Sequence, residues 1–290
     1  MEIYLDCLPC VMRQVLEASR MSTDNAEHQQ KIMEEGMRLL SEYKKYTCSP
    51  DIVRDMHQIV MRITGVQDPY RKIKDRDIAT ALKLYPFLVD FLKSKDDKLY
   101  WLLKIAATGN ILDSALFSNN DVESTIEKEL NMEFAICDIA AFREKLRLAR
   151  TLLIIGDNAG ETVFDRVFTE QFPHLDIYYA VRSSPVINDA TIDDAYASGI
   201  GESVKIISCG CDTPGVMLDR CSAEFMDLLD KADIVLSKGQ GNFESLSDSG
   251  REIFYLLKAK CPVIADNIGV SLFDYVFKHY PQNAAKEMTR

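Results

Sequence analysis

Apolar side chains recur at helical spacing along the first half of the chain, up to about Arg150. The clearest stripe repeats every three or four positions, on Ile52, Met56, Ile59, Val60 and Ile63. Similar stripes cover 78–92 and 99–106, and we expect Pro86 to kink or split its helix. Residues 108–110, Thr-Gly-Asn, are typical of a helix end. This half predicts about six or seven helices and no convincing strand.

The second half alternates short β-rich runs with stretches of helical spacing. The predicted strands are Leu152–Ile155, Ile177–Val181, Val204–Ser208, Ile234–Ser237 and Pro262–Ala265. Ala223–Asp230 and Arg251–Ala259 are predicted helices between them. Such alternation indicates βαβ units and a mostly parallel sheet. We therefore predict an α/β fold in which 1–148 form an N-terminal all-helical domain and 149–290 form the α/β domain.

Composition narrows the class of protein. The chain has 290 residues, of which 47% are hydrophobic and 27% charged, as in ordinary globular proteins. Its formal net charge of −11 argues against a nucleic-acid-binding or anionic-membrane-binding surface. No apolar run reaches the roughly 20 residues of a membrane span, and residues 1–20 lack a signal-peptide pattern. A cytoplasmic location is expected, with the eight cysteines reduced.

The most informative stretch is 151–161, TLLIIGDNAGE, in which an apolar strand leads directly into a polar turn. Ligands of open α/β sheets bind beyond the carboxyl ends of strands, where Asp157 and Asn158 fall. Gly156 and Gly160 let the backbone bend closely around a ligand. A carboxylate beside a carboxamide suits a hard cation better than a bare phosphate. This strand end therefore predicts a metal site.

Two more polar clusters follow predicted strands. The second strand leads into Arg182 and, further along, Asp189, whereas the fourth leads into Lys238-Gly-Gln-Gly-Asn. Together the three clusters match a phosphate held by a lysine and backbone amides, with a divalent cation between it and two aspartates. Taken singly, Asp157 and Asp189 could instead be helix caps, and the Lys238 segment an ordinary turn.

These motifs, GDNAGE, RSSPVINDAT and KGQGNFESLSD, with CLPC near the start and GNILD at 109–113, resemble the DUF89 family of metal-dependent damage-control phosphatases. The chain is most similar to the small stand-alone prokaryotic subgroup. The match covers Cys7 to about Asn267. The resemblance implies a helical N-terminal part, a Rossmann-like core, and hydrolysis of phosphate monoesters of sugars or cofactor intermediates with Mg²⁺, Mn²⁺, Co²⁺ or Ni²⁺.

The resemblance also implies roles for individual residues. Asp157, Asn158 and Asp189 would hold the metal and, with Lys238, would form the catalytic group. Substrate and phosphate binding would fall to a larger set: Lys238, Gly239, Gly241, Asn242, Arg182, Glu161, Asn110 and Asp113. The partner would be a small phosphorylated metabolite. Direct attack by water is favoured, since no histidine stands in these motifs.

Two other classes of protein stay open. A nucleotide-binding or S-adenosylmethionine-binding enzyme would also have a Rossmann-like core, although 156–160 depart from the GxGxxG pattern. A non-enzymatic metal-binding protein could use Cys7 and Cys10, with Cys209 and Cys211 as further zinc ligands. Buried unreactive thiols are the simpler interpretation of those cysteines.

Overall fold

The structure is a computed structural model that describes residues 1–114 and 122–282. Its α-helices are α1 (Cys7–Ser22), α2 (Ala26–Leu40), α3 (Ser49–Thr64), α4 (Arg71–Lys93), α5 (Lys98–Thr108), α6 (Val122–Leu130), α7 (Ile139–Leu146), α8 (Glu161–Thr169), α9 (Ile192–Ala197), α10 (Ala223–Lys231), α11 (Gln240–Leu246) and α12 (Pro262–Ile268). Its strands are β1 (Phe134–Cys137), β2 (Thr151–Ile155), β3 (Asp176–Val181), β4 (Lys205–Ser208), β5 (Ile234–Lys238), β6 (Ile253–Lys258) and β7 (Tyr275–Tyr280).

The seven strands form one sheet in the order β1-β7-β6-β5-β2-β3-β4. Every neighbouring pair is parallel except β6 and β7. From β2 the chain moves outward to β3 and β4, then returns to the other side of β2 as β5. The strand order therefore reverses between β2 and β5, which is where doubly wound sheets open a crevice for ligands.

Both faces of the sheet are covered, because alternate side chains of each strand point to opposite sides. On one face Leu152 and Ile154 of β2 join a cluster with α4, α5, α7 and α8. On the other face Leu153 and Ile155 join a cluster with α10, α11 and α12. A third cluster lies within α1, α2 and α3 and centres on Val15, Ile52 and Met56. The predicted mostly parallel sheet with an N-terminal helical region is confirmed.

The prediction that no strand precedes Arg150 is wrong, because β1 pairs with β7 at the edge of the sheet. Its four residues are too few to give a readable alternation. The expected number of helices agrees with α1–α7 of the described residues. Pro86 does not split α4, which runs from Arg71 to Lys93. The division between 1–148 and 149–290 stays a prediction, and β1 shows that the sheet draws on both parts.

For two elements near the C-terminal end, the predicted type of secondary structure is wrong. The predicted helix Arg251–Ala259 contains β6, and the predicted strand Pro262–Ala265 lies in α12. All six residues of β6 are buried, and a strand buried on both faces lacks the alternation that distinguishes it from a helix. Pro262 stands in the first turn of α12, a position that suits proline. Among the helices of the described residues, none is long and apolar enough to cross a membrane.

Candidate active site

The site begins where the carboxyl ends of β2 and β5 lie side by side. Asp157 follows β2, and Gly239 follows β5. Gly239 has φ +79°, and a Cβ atom on it would lie 1.9 Å from Asp157 Oδ2. Only glycine therefore lets the Asp157 carboxylate lie directly against the β5 turn.

Two backbone segments bring the three predicted metal ligands together. Asn158 and Asp189 form an isolated antiparallel bridge. Next to it, the N–H group of Ala190 donates a hydrogen bond to the carbonyl oxygen of Asp157 at 2.8 Å. The turn after β2 and the loop after β3 are thus paired, so that Asp157, Asn158 and Asp189 line the same cleft.

Neither aspartate caps a helix. The residue at the N-cap of α8 is Gly160, and no side chain caps that helix. At the start of α9 the N-cap is Thr191, which forms a capping box with Asp194. The interpretation of Asp157 and Asp189 as helix caps is therefore wrong. Both residues line the cleft without capping a helix.

The cleft has a volume of about 460 Å³. The polar part of its wall includes Asn110, Asp157, Asn158, Asp189, Gly241 and Lys260. Further wall residues come from α1 and the start of α3, such as Gln14 and Pro50. The helical N-terminal part thus contributes to a pocket whose chemistry lies at the strand ends.

Glu161 orients the amide groups at the cleft. Asn158 donates from Nδ2 to Glu161 Oε1 at 2.9 Å, and Asn110 Nδ2 donates to the same oxygen. Asn110 Nδ2 also lies 3.5 Å from Asp157 Oδ2. With its amide nitrogen committed to Glu161, Asn158 has its carbonyl Oδ1 for a cation. Glu161 itself is 1% exposed and lies behind the lining residues.

Lys238 lies beneath the cleft rather than along its wall. Its Nζ donates to Glu161 Oε2 at 3.0 Å and to Asp165 Oδ1 at 2.7 Å. Tyr179 donates from its hydroxyl to the other oxygen of Asp165 at 2.7 Å. Burial alone would lower the pKa of Lys238, but Asp165 and Glu161 raise it above its ordinary value. Lys238 is therefore a buried cation that holds two carboxylates in place.

Arg182 has the corresponding role on the other side of the site. Its Nε donates to Asp189 Oδ2 at 2.7 Å, and Nη2 donates to Asn242 Oδ1 at 2.9 Å. Asn242 in turn donates from Nδ2 to the carbonyl oxygens of Gly156 and Lys238. Burial would lower the pKa of Arg182, whereas Asp189 raises it, so that the guanidinium stays charged. Arg182 and Asn242 thus fix the loops that carry the lining residues.

The buried charges of the site do not balance. Four buried carboxylates face two buried cations: Asp157, Glu161, Asp165 and Asp189 against Lys238 and Arg182. Burial, then Glu161 and Asp189, raise the pKa of Asp157 well above its usual range. A divalent cation would offset the two negative charges in excess when all four carboxylates are ionised, and would stabilise the ionised form of Asp157. The charges and the oxygen donors therefore both fit a hard divalent cation.

The donor set is small. Among residues 1–114 and 122–282, no three His, Cys, Asp or Glu side chains are spaced to hold a metal ion. The fit instead rests on two carboxylates, of Asp157 and Asp189, with the amide oxygen of Asn158. Magnesium-like ions are commonly held by one or two carboxylates with waters and substrate phosphate in the other positions. The alternative of a zinc site made of four cysteines is wrong, because no three cysteines of the described residues are spaced to hold a metal ion.

Gly241 and Asp113 are the remaining residues predicted to bind substrate or phosphate. Gly241 lines the cleft, and a Cβ atom there would lie 2.0 Å from the carbonyl oxygen of Pro214. The side chain of Asp113 lies outside the part of the chain that the structure describes. The roles predicted for both stay predictions.

Sequence reasoning missed two charged residues of the site. Lys260 lines the cleft, and its Nζ donates to the carbonyl oxygen of Asn110 at 3.0 Å. It lies just beyond the end of β6, so the wrong prediction of a helix there concealed a fourth polar strand end. Asp165, the other partner of Lys238, is one helical turn after Glu161, and this spacing could have indicated it.

Comparisons with known proteins show which family the chain resembles. A family model described as the damage-control phosphatase ARMT1-like domain matches residues 3–276. A protein of Methanocaldococcus jannaschii named only as uncharacterized is 34% identical over 288 residues, covering 95% of this chain and 94% of its own. A damage-control phosphatase of Pyrococcus horikoshii is 33% identical over 277 residues, covering 93% and 95%.

The structure is also similar to a solved crystal structure. The crystal structure of a DUF89 family protein from Pyrococcus horikoshii matches with a TM-score of 0.88 at 32% identity, covering 96% of this chain and 99% of that one. The family predicted from the motifs is thereby confirmed: the chain belongs to the damage-control phosphatase ARMT1-like, or DUF89, family.

Proposed function

We propose that this protein is a divalent-cation-dependent phosphatase that hydrolyses phosphate monoesters of small metabolites, in metabolite damage control. The observation that carries the proposal is the excess of buried carboxylate around Asp157, at a cleft that also exposes Lys260. Family membership and the names of the relatives support the phosphatase activity. The two carboxylates at the start of the β2 turn and α8, Asp157 and Glu161, would repel a bound pyrophosphate, which argues against the nucleotide-binding alternative.

Asp157, Asn158 and Asp189 would hold the cation, which we propose is Mg²⁺, Mn²⁺, Co²⁺ or Ni²⁺. When bound, such an ion polarises a phosphate oxygen and makes attack by water easier. Because the pKa of Asp157 is raised without it, a proton and the ion would compete for this carboxylate. Cation binding should therefore weaken as the pH falls.

Two lysines would support phosphate binding, one indirectly and one by direct contact. Lys238 is enclosed by Glu161 and Asp165, so we propose that it acts from beneath by holding Glu161, which orients Asn158. Lys260 lines the cleft and would meet the phosphate oxygens directly. Phosphoryl transfer depends mainly on positioning and charge neutralisation, and a lysine in this place supplies both. Gly241 and Gln240, which also line the cleft, would offer backbone groups to the same phosphate.

The test is release of inorganic phosphate from a panel of sugar phosphates and cofactor phosphates, with each divalent cation in turn. Asp157→Asn keeps the size of the side chain and removes its charge, so we expect the rate to fall at least about 100-fold. Asp90→Asn, at an exposed position of α4, is the matched control and should retain the wild-type rate. Cation-independent release, or equal rates in Asp157→Asn and wild type, would refute the proposal.

A further inference from the structure

Three cysteines meet the active-site cleft, although they are far apart in the sequence. Cys7 and Cys10 belong to the first turn of α1, and Cys261 is the residue before α12. All three line the cleft that Asp157 also lines. The CLPC motif is therefore part of the substrate pocket, and its neighbour there is Cys261 rather than the Cys209 and Cys211 pair.

The Cys10 thiol is the exposed member of this group. Its pKa is raised, first because the surrounding protein desolvates the thiolate, and then because Cys261 and Cys7 are close enough to repel its charge. Glu244 raises the pKa as well, and only Arg13 opposes these effects. Among the described residues no three His, Cys, Asp or Glu side chains are spaced to hold a metal ion, so a shared metal does not account for this grouping of thiols.

The position of Cys261 gives such a bond a consequence. Cys261 directly follows Lys260, whose Nζ donates to the carbonyl oxygen of Asn110. A covalent link from Cys10 to Cys261 would join α1 of the helical part to the segment that presents Lys260. Both ends of the link lie on the wall of the cleft, so it would restrict substrate access and fix the segment that presents Lys260.

We propose that Cys10 and Cys261 form a reversible disulfide that closes the active-site cleft and switches the enzyme off under oxidising conditions. The co-reactant is a low-molecular-weight disulfide. The Cys10 thiolate attacks one of its sulfurs, giving a mixed disulfide and releasing one thiol. The Cys261 thiolate then attacks the Cys10 sulfur and releases the second thiol. Two protein thiols are oxidised, one reagent disulfide is reduced to two thiols, and no net proton is lost.

The raised pKa of Cys10 sets the pH dependence of the first step, because only the thiolate attacks. The oxidation should be slow at neutral pH and should still accelerate at pH values above the ordinary range of a cysteine. The thiols of Cys209 and Cys211 are placed differently from the three thiols that line the cleft. Cys209 and Cys211 are fully buried, and Cys209 Sγ lies 3.6 Å from the carbonyl oxygen of Cys211.

The experiment treats the full chain with glutathione disulfide and maps the disulfides by peptide mass spectrometry. We expect a Cys10–Cys261 peptide pair and a loss of phosphatase activity of at least about tenfold that dithiothreitol reverses. Cys10→Ser and Cys261→Ser, each compared with its own reduced form, should lose no activity on oxidation. Cys137→Ser is the matched control, because this half-buried thiol lies at the end of β1, and it should respond as the wild type does.

Absence of the Cys10–Cys261 bond would overturn the inference, as would a Cys7–Cys10 bond in its place or full activity of the cross-linked protein. The activity measurement rests on the proposed phosphatase function, but the peptide map does not. If no substrate is hydrolysed even by the reduced protein, binding of inorganic phosphate in the presence of Mn²⁺ replaces that measurement. Weaker phosphate binding by the oxidised protein would then support closure, and equal binding would overturn it.

Discussion

Replacing Gly239 by alanine tests the contact on which the site is built. The added Cβ atom would lie 1.9 Å from Asp157 Oδ2, whereas ordinary contact begins near 3.4 Å, so the carboxylate would have to move by roughly 1.5 Å. Gly239 also has φ +79° and ψ 166°, a conformation essentially restricted to glycine that costs other residues ~1–3 kcal/mol. Overpacking adds a similar amount, so we expect the free energy of unfolding to fall by roughly 2–6 kcal/mol.

The matched control is Gly65→Ala. Gly65 ends α3 with φ +74°, and nothing lies within 4 Å of its would-be Cβ atom, so only the backbone cost of about 1–2 kcal/mol applies. Urea denaturation measures both variants, and calorimetric titration with Mn²⁺ measures the effect on Asp157. Gly239→Ala should bind Mn²⁺ at least about tenfold more weakly, with Gly65→Ala unchanged. Equal loss of stability in both variants, with equal Mn²⁺ affinity, would refute the reasoning.

Three further substitutions have defined outcomes. Lys238→Met leaves Glu161 and Asp165 without their buried cation and should lower the free energy of unfolding by about 3–5 kcal/mol, measured with urea. Lys260→Met should lower kcat/KM about 100-fold while leaving the urea midpoint within error; a change below about threefold would contradict a direct phosphate contact. Lys104→Met should stabilise the protein at pH 6 by at most about 5 kcal/mol, because burial lowers the pKa of this lysine from 10.5 to about 7. The charge of Lys104 lowers the free energy of unfolding by its full amount below pH 7, and by less as the pH rises toward 10.5. The free energies of unfolding of the wild type and Lys104→Met should therefore converge over this range.

The polar strand ends could be predicted from the sequence because parallel strands bring their carboxyl ends to one edge. Asp157, Asn158 and Asp189 follow two apolar runs that are short and continuous, as buried parallel strands are. Their meeting in one cleft then follows from topology alone. The sequence could not reveal that Lys238 turns inward to Glu161 and Asp165, since that depends on packing between β5 and α8.

The errors cluster where periodicity carries no information. β6 is buried along its whole length and has charged residues on both sides, so its apolar run resembles a buried helix. Because β6 was predicted as a helix, Lys260 and Cys261 were not expected at a strand end. The fourth strand end that contributes polar residues to the cleft was therefore missed. That Cys10 and Cys261 line the same cleft depends on how the helical N-terminal part packs against the rest of the chain, a long-range arrangement that no local pattern indicates.

The central claim is that Asp157, Asn158 and Asp189 form a divalent-cation site at the carboxyl ends of the strands. Crystals grown with Mn²⁺ and measured for its anomalous scattering test this most directly, because the signal locates the ion without reference to activity. We expect one strong peak in contact with carboxylate oxygens of Asp157 and Asp189 and with Oδ1 of Asn158. A map with no peak there, or with its main peak among Cys7, Cys10 and Cys261, would contradict it.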